Sequence, residues 1–175
     1  MGRLGRPTDL SVALSVAEKV VPYVESLDGI EQVIIAGSVR RQRPIVNDLD
    51  LVIVSMPWAR DLTYLRHGED KAYHWTPKGG VASVDDVRVE MFLAPTDCAG
   101  ATLQWVTGPG SLNVWLRFVA KRQGLKLSQY GLIDAEKQRL DSHTGDPYTD
   151  EASIFDALSV PFMLAEQRDD WRELK

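Results

Sequence analysis

The chain has 175 residues, 44% of them hydrophobic, enough to bury one good core or two small subdomains that share an interface. Its single cysteine, Cys98, permits no internal disulfide and has no zinc-site spacing around it. No apolar run approaches the roughly 18 residues of a membrane span, and MGRLGRPTDL lacks a signal-peptide stretch, so an intracellular, cytoplasmic protein with no membrane partner is expected. The net charge of −5 is uneven: residues 1–133 carry 15 Lys+Arg against 14 Asp+Glu, and residues 134–175 carry 5 against 11.

In chain order, Thr8 is positioned as an N-cap, and Leu10, Ala13, Leu14, Ala17, Val20, Val21 and Val24 recur at helical spacing to about residue 27. Pro22 is expected to kink that helix or end it early. Gln32 to Ala36 and Leu49 to Val54 are short apolar, β-branched runs, read as two buried strands joined through a polar segment. Between residues 60 and 84 Gly68 and Gly79-Gly80 serve as turn signals, compatible with short hairpin strands or a loop. Val87 to Leu93 predicts a third strand, and Thr96 or Asp97 can cap a helix through about Trp105.

Thr107-Gly108-Pro109-Gly110 then interrupts helix formation and marks a subdomain boundary, giving subdomains 1–106 and 107–175. Ser111 can cap the next helix, which buries Leu112, Trp115, Leu116 and Val119 and ends at Gly124. Arg117, Lys121, Arg122 and Lys126 fall between Asn113 and Ser128 with no acid among them. They form either a solvated helix surface or a local basic face. Leu125 to Ile133 resumes extended character, and Thr149-Asp150-Glu151 opens a last helix through Leu158.

The stretch richest in chemistry is Ala36-Gly37-Ser38-Val39-Arg40-Arg41 followed by Asn47-Asp48-Leu49-Asp50. Side chains two apart on a strand share a face, so Asp48 and Asp50 present two carboxylates side by side. Like charges so placed raise each other's pKa unless a cation sits between them. Hard oxygens with no His or Cys nearby favour Mg²⁺, with Mn²⁺ able to substitute. Glu90 stands in the middle of an apolar strand and supplies a third carboxylate if that strand lies beside the Asp48 strand. The simpler alternatives are a polar strand entry for Asp48 and Asp50, and for Glu90 a solvent-face position shared with Arg88. A strand that ends in Gly37-Ser38 and turns into a helix aims backbone N–H groups and a hydroxyl outward, as in a phosphate cradle, with Arg40 and Arg41 adding charge. A simple turn with solvated arginines is the alternative there.

Gly37-Ser38-x-Arg40-Arg41 with Asp48-x-Asp50 resembles the nucleotidyltransferase motif of the family X DNA polymerases, the family of polymerase beta. Trp105-Val106-Thr107-Gly108 is similar to the family's tetrapeptide beside the incoming sugar, and Asn113 and Arg117 fall where the family has its minor-groove contacts. Gly124 to Leu132, Ile154 to Leu158 and Val160-Pro161-Phe162 extend the likeness, which covers roughly residues 30 to 165 with no match over 56 to 86. The resemblance implies an α+β fold: a palm of mixed twisted sheet with helices over residues 1–106, and a small C-terminal α/β subdomain over 107–175 that binds the nascent base pair. It implies a minimal form without the lyase domain, and a cis peptide at Gly108-Pro109.

By the same resemblance, Asp48, Asp50 and Glu90 are the catalytic residues and hold two Mg²⁺ ions. Gly37, Ser38, Arg40 and Arg41 bind the triphosphate, Trp105, Val106 and Gly108 border the sugar, and Asn113 touches the base edge. Arg117, Lys121 and Lys126 contact DNA. The implied activity is template-directed addition of dNTPs to a primer 3′-hydroxyl on gapped or primer–template DNA, with short-gap filling in repair, a DNA ligase as partner, and a monomeric state. Two alternatives stay open: a nucleotidyltransferase acting on an RNA end, a protein or a small molecule, and a non-catalytic module that binds a nucleotide or DNA end.

Overall fold

The computed structural model describes residues 6–56, 73–76 and 79–173. The chain divides into two compact units, Met1–Pro95 and Thr96–Lys175. In the first, the described elements are β1 (Thr8–Asp9), α1 (Leu10–Glu25), β2 (Ile30–Ile35), a helical turn α2 (Gly37–Arg40), β3 (Ile45–Val46), β4 (Leu49–Ser55), β5 (Tyr73–Thr76), β6 (Gly79–Val84) and β7 (Val87–Pro95). β1 pairs with β3, and the remaining strands form one sheet in the order β2-β4-β7-β6-β5. Among the described strands of this sheet only β4 and β7 run parallel; the other neighbouring pairs are antiparallel.

Alternation of side chains turns one apolar face of this sheet toward α1, while Ile34, Val52 and Val54 on the other side of their strands are buried as well. Leu49, Leu51 and Ile53 of β4 and Val87, Val89 and Met91 of β7 cluster with Ala13, Val16, Ala17, Val20 and Val24, the buried stripe of α1. Each such Val, Leu or Ile contributes roughly 1.5–3 kcal/mol when fully buried, which is what fixes the strand register. The intervening residues, Asp50 and Glu90 among them, are turned to the other face.

Some local expectations change in this unit. Thr8 is not the helix cap: it pairs with Val46 in β1, and Asp9 takes the N-cap position. α1 also runs past Pro22 to Glu25, because the ring removes only its own N–H and the Ser26 N–H still reaches the Pro22 carbonyl at 3.1 Å. The expected short hairpin strands are present as β5 and β6, but Gly79 and Gly80 lie within β6 rather than in a turn. At Gly79 (φ +143°) a Cβ would lie 1.8 Å from the Met91 carbonyl oxygen, so the close approach of β6 to β7 is what calls for glycine. The expected turn at Gly68 lies outside the described residues.

The second unit begins with a 3-10 turn (Thr96–Cys98) and continues with α3 (Ala99–Thr107), α4 (Gly110–Arg122), a hairpin of β8 (Lys126–Ser128) and β9 (Gly131–Ile133), α5 (Pro147–Ala157) and a 3-10 segment (Ala165–Glu173). Leu112, Leu116 and Ala120 of α4 pack with Leu127, Leu132, Ile154, Phe155, Leu158 and Trp171. The division between units thus lies ahead of the Thr107–Gly110 break, and α3 packs against α5. That packing depends on Gly100, where a Cβ would sit 2.5 Å from the Asp150 Cβ. The break itself contains a cis Gly108-Pro109 peptide, as expected.

α5 opens at Pro147, two residues before the expected Thr149. Asp146 is its N-cap, and its Oδ1 accepts the Tyr148 N–H at 3.1 Å, so Asp-Pro acts as cap and first helical residue. Asp150 is buried and holds the preceding loop instead, accepting from Ser142 Oγ at 3.0 Å and from the Thr144 N–H at 2.8 Å.

Candidate active site

In the first unit, the parallel pairing of β4 with β7 places Asp50 directly opposite Glu90. Asp48 precedes Asp50 by two residues at the strand entry. The three carboxylates therefore rise from one face of the sheet, away from α1. Asp48 and Asp50 are both partly buried. Burial is the main cause that raises the Asp48 carboxyl above its ordinary value, with the negative charge of Glu90 next and Arg88 opposing. Asp50 is pushed up to about 7, first by burial, then by Asp48 and Glu90, against the pull of Arg41 and Arg88. These are the effects expected of partly buried carboxylates crowded together.

Glu90 is paired along its own strand with Arg88. Its Oε1 accepts from Arg88 Nε at 2.6 Å and lies 2.6 Å from the second guanidinium nitrogen. Among the described residues, no three His, Cys, Asp or Glu side chains converge as a preformed metal cage. What exists is an electrostatically coupled trio in which Glu90 is drawn to its own strand neighbour.

The strand-to-helix turn is built against this trio. β2 ends at Ile35, and the N–H of the next residue, Ala36, donates to the Asp50 carbonyl at 2.8 Å. Gly37 follows at φ +58°, and a Cβ there would lie 1.8 Å from Asp50 Oδ2. Glycine is thus required twice, by the left-handed backbone and by the carboxylate packed on it. Ser38, Arg40 and Arg41 are half-buried around the turn, and Arg41 is close enough to lower the Asp50 pKa. Gly37→Ala is expected to cost at least about 1–2 kcal/mol from the backbone conformation alone and to displace the Asp50 side chain. Urea unfolding of the two proteins measures this, and equal midpoints would show that the turn has room to relax.

In the second unit, Trp105, Asn113, Arg117 and Lys126 line one cavity of about 470 Å³ together with Gln104, Leu127, Ser128, Gln129 and Tyr130. Val106, Gly108 and Lys121 are not in its wall. Asn113 is only 7% exposed, and its amide is fixed at both ends: Oδ1 accepts from Gln104 Nε2 at 2.8 Å, and Nδ2 donates to the Trp105 carbonyl at 2.7 Å. The amide retains one N–H and one lone pair, and it positions the end of α3. Arg117 Nε donates to the Asn113 carbonyl at 3.1 Å. Gln104 and Tyr130 lie outside the expected site set. A glutamine inside an otherwise apolar helix, in Thr102-Leu103-Gln104-Trp105, was the available signal for the first.

Residues 102–169 match the family model of the DNA polymerase beta thumb. The fold is similar to that in a crystal structure of Leishmania infantum polymerase beta in a ternary P/T complex, with a TM-score of 0.72 and 20% sequence identity over 95% of this chain and 78% of that chain. No curated protein matches the sequence. The chain thus has an α+β fold similar to that of polymerase beta, and its residues 102–169 match the polymerase beta thumb. Among the described residues no helix is long and apolar enough to cross a membrane.

Proposed function

We propose that the chain is a metal-dependent nucleotidyltransferase that adds dNTPs to a primer 3′-hydroxyl on gapped or primer–template DNA, in short-gap filling during repair. The observation that carries this reading is the in-register pairing of Asp50 with Glu90, with Asp48 beside them and Gly37 packed on the Asp50 carboxylate. Such a set suits Mg²⁺: all donors are hard oxygens, and two of the three carboxyls are raised in pKa, first by burial and then by the negative charge of neighbouring carboxylates. Held by Asp48, Asp50 and Glu90, divalent ions would supply Lewis-acid activation of the 3′-hydroxyl and charge neutralisation at the triphosphate.

The remaining roles follow from chemistry already described. The Gly37-Ser38 turn offers N–H groups and a hydroxyl to phosphate oxygens, with Arg40 and Arg41 as cationic partners. Trp105 and Val106, at the end of α3, border the sugar, and Asn113 sets the position of Trp105 while offering its remaining N–H to a base. Arg117 and Lys126, in the cavity wall, and Lys121 beside them bind the DNA backbone or minor groove.

The deciding assay is metal-dependent incorporation on single-stranded, nicked and gapped DNA with both nucleotide types. Template-dependent addition of dNTPs on the gap supports the reading. Addition to an RNA end or to no nucleic acid at all would assign the protein to another branch of nucleotidyl transfer. The Arg88–Glu90 ion pair favours a second reading, a non-catalytic DNA-end binder, which predicts tight binding and no incorporation. Glu90→Asp separates the two. A ligand shortened by one methylene changes the rate or the Mg²⁺/Mn²⁺ preference while the protein stays folded, whereas a surface residue leaves both unchanged.

A further inference from the structure

Residues 98–133 contain four basic and no acidic side chains in a protein of net charge −5. Three of the four lie on the outward face of α4, where they surround an apolar strip that the polymerase reading leaves unused. Phe118 is 55% exposed and Val114, one turn earlier, is 62% exposed. Arg117, Lys121 and Arg122 are exposed on the same side, and the Arg122 guanidinium lies over the Phe118 ring at 5.8 Å. The opposite side of the helix, through Leu112, Leu116 and Ala120, is fully buried.

A ring and a β-branched side chain held in water amid cations serve neither the core nor a duplex backbone. Phosphates are bound by the charges alone, and paired bases keep their faces stacked inside the duplex. An unpaired strand offers both a phosphate chain and free base faces, and aromatic side chains within a basic surface bind it by stacking. We infer that the outer face of α4 is a docking surface for an unpaired nucleic-acid strand, with a base stacked on Phe118 against Val114 and the backbone held by Lys121 and Arg122. In the proposed reaction this would be the unpaired stretch of template.

Because the assignment rests on the polymerase reading, binding is measured without nucleotide, by fluorescence anisotropy of a labelled oligothymidine and of a blunt duplex of equal length. Phe118→Ala is expected to weaken binding of the single strand by about tenfold and to change duplex binding little, while Phe118→Trp retains both. The salt dependence of binding should keep its slope in Phe118→Ala, which removes no charge, and flatten in Lys121→Ala/Arg122→Ala. Equal losses on the two DNAs, or no loss on either, would overturn the assignment. So would self-association of the wild-type protein in sedimentation that Phe118→Ala abolishes, since the face would then be occupied by a second copy. Asp50→Asn should bind the strand like wild type. Phe118-dependent binding without any nucleotide addition would keep this surface and remove the polymerase reading, and addition without such binding would do the reverse.

Discussion

Asp50→Asn is expected to eliminate nucleotide addition, by about 10²–10³-fold or more, and at the same time to stabilise the metal-free protein at neutral and alkaline pH. The two effects share a cause. Asp50 is pushed up to about 7 by burial and by its neighbours Asp48 and Glu90, from 3.8 in the absence of structure. Between those values the folded protein holds a proton that the unfolded chain has released, so folding stability falls as pH rises from about 4 to about 7 and stays at the lower level above that. Each tenfold difference in proton affinity is worth about 1.4 kcal/mol. An amide that carries no charge removes this penalty, so the gain from Asp50→Asn should be larger at pH 8 than at pH 5.

A divalent ion relieves the same repulsion by supplying positive charge. Mg²⁺ or Mn²⁺ should therefore raise the Tm of the wild type at pH 8 and do so much less in Asp50→Asn. Thermal unfolding with chelator and with metal, at both pH values, tests all of this without an activity assay. A variant less stable than wild type at pH 8, with the metal shift intact, would mean that Asp50 is satisfied as an ordinary surface carboxylate and that the proposed metal centre is misplaced.

The parts of this site that were legible in the sequence are those fixed by local chemistry. A continuous apolar run such as Leu51 to Val54 has little choice but a buried strand, and acids at its entry must share a face by the two-residue period. Gly37-Ser38 was legible because few residues other than glycine tolerate that turn. The parts that stayed hidden depend on partners distant in sequence. Thr8 looked like a cap because its pairing with Val46 was not visible, and Gly79-Gly80 looked like a turn because the close approach to Met91 was not. Glu90 was recognised as a charge in an apolar strand, but that its carboxylate lies on Arg88 follows from side-chain geometry that spacing alone leaves undecided. Asn113 was recognised by its position, while its bonds to Gln104 and Trp105 arise only when α3 and α4 fold together.

The same blindness covers the second unit's most consequential contact, which yields the largest expected loss of stability. Arg168 is fully buried, and so is Glu151 on α5; Arg168 Nη1 lies 2.8 Å from Glu151 Oε1, and its Nε donates to the Met163 carbonyl at 3.0 Å. The guanidinium also sits 5.3 Å from the centroid of Phe155 and 5.8 Å from that of Phe162, two rings that meet edge to face at 5.3 Å. The C-terminal 3-10 segment is thereby tied to α5 through a charge that has no access to water. Removing one partner strands the other in an apolar surrounding, so Arg168→Met or Glu151→Leu should each cost about 3–5 kcal/mol. That is a large fraction of the roughly 5–15 kcal/mol that keeps a domain folded.

Replacing both with apolar residues removes the charges together, so Arg168→Met/Glu151→Leu should recover much of the loss, since a buried ion pair offsets its own desolvation only narrowly. Urea unfolding followed by circular dichroism on the four proteins gives the comparison. If Arg168→Met lowers the unfolding free energy by less than about 1 kcal/mol, the level of an exposed pair, the guanidinium is reached by solvent. If instead the double variant is as unstable as the sum of the singles, the two groups contribute independently, through the Met163 carbonyl and the aromatic rings, rather than through each other.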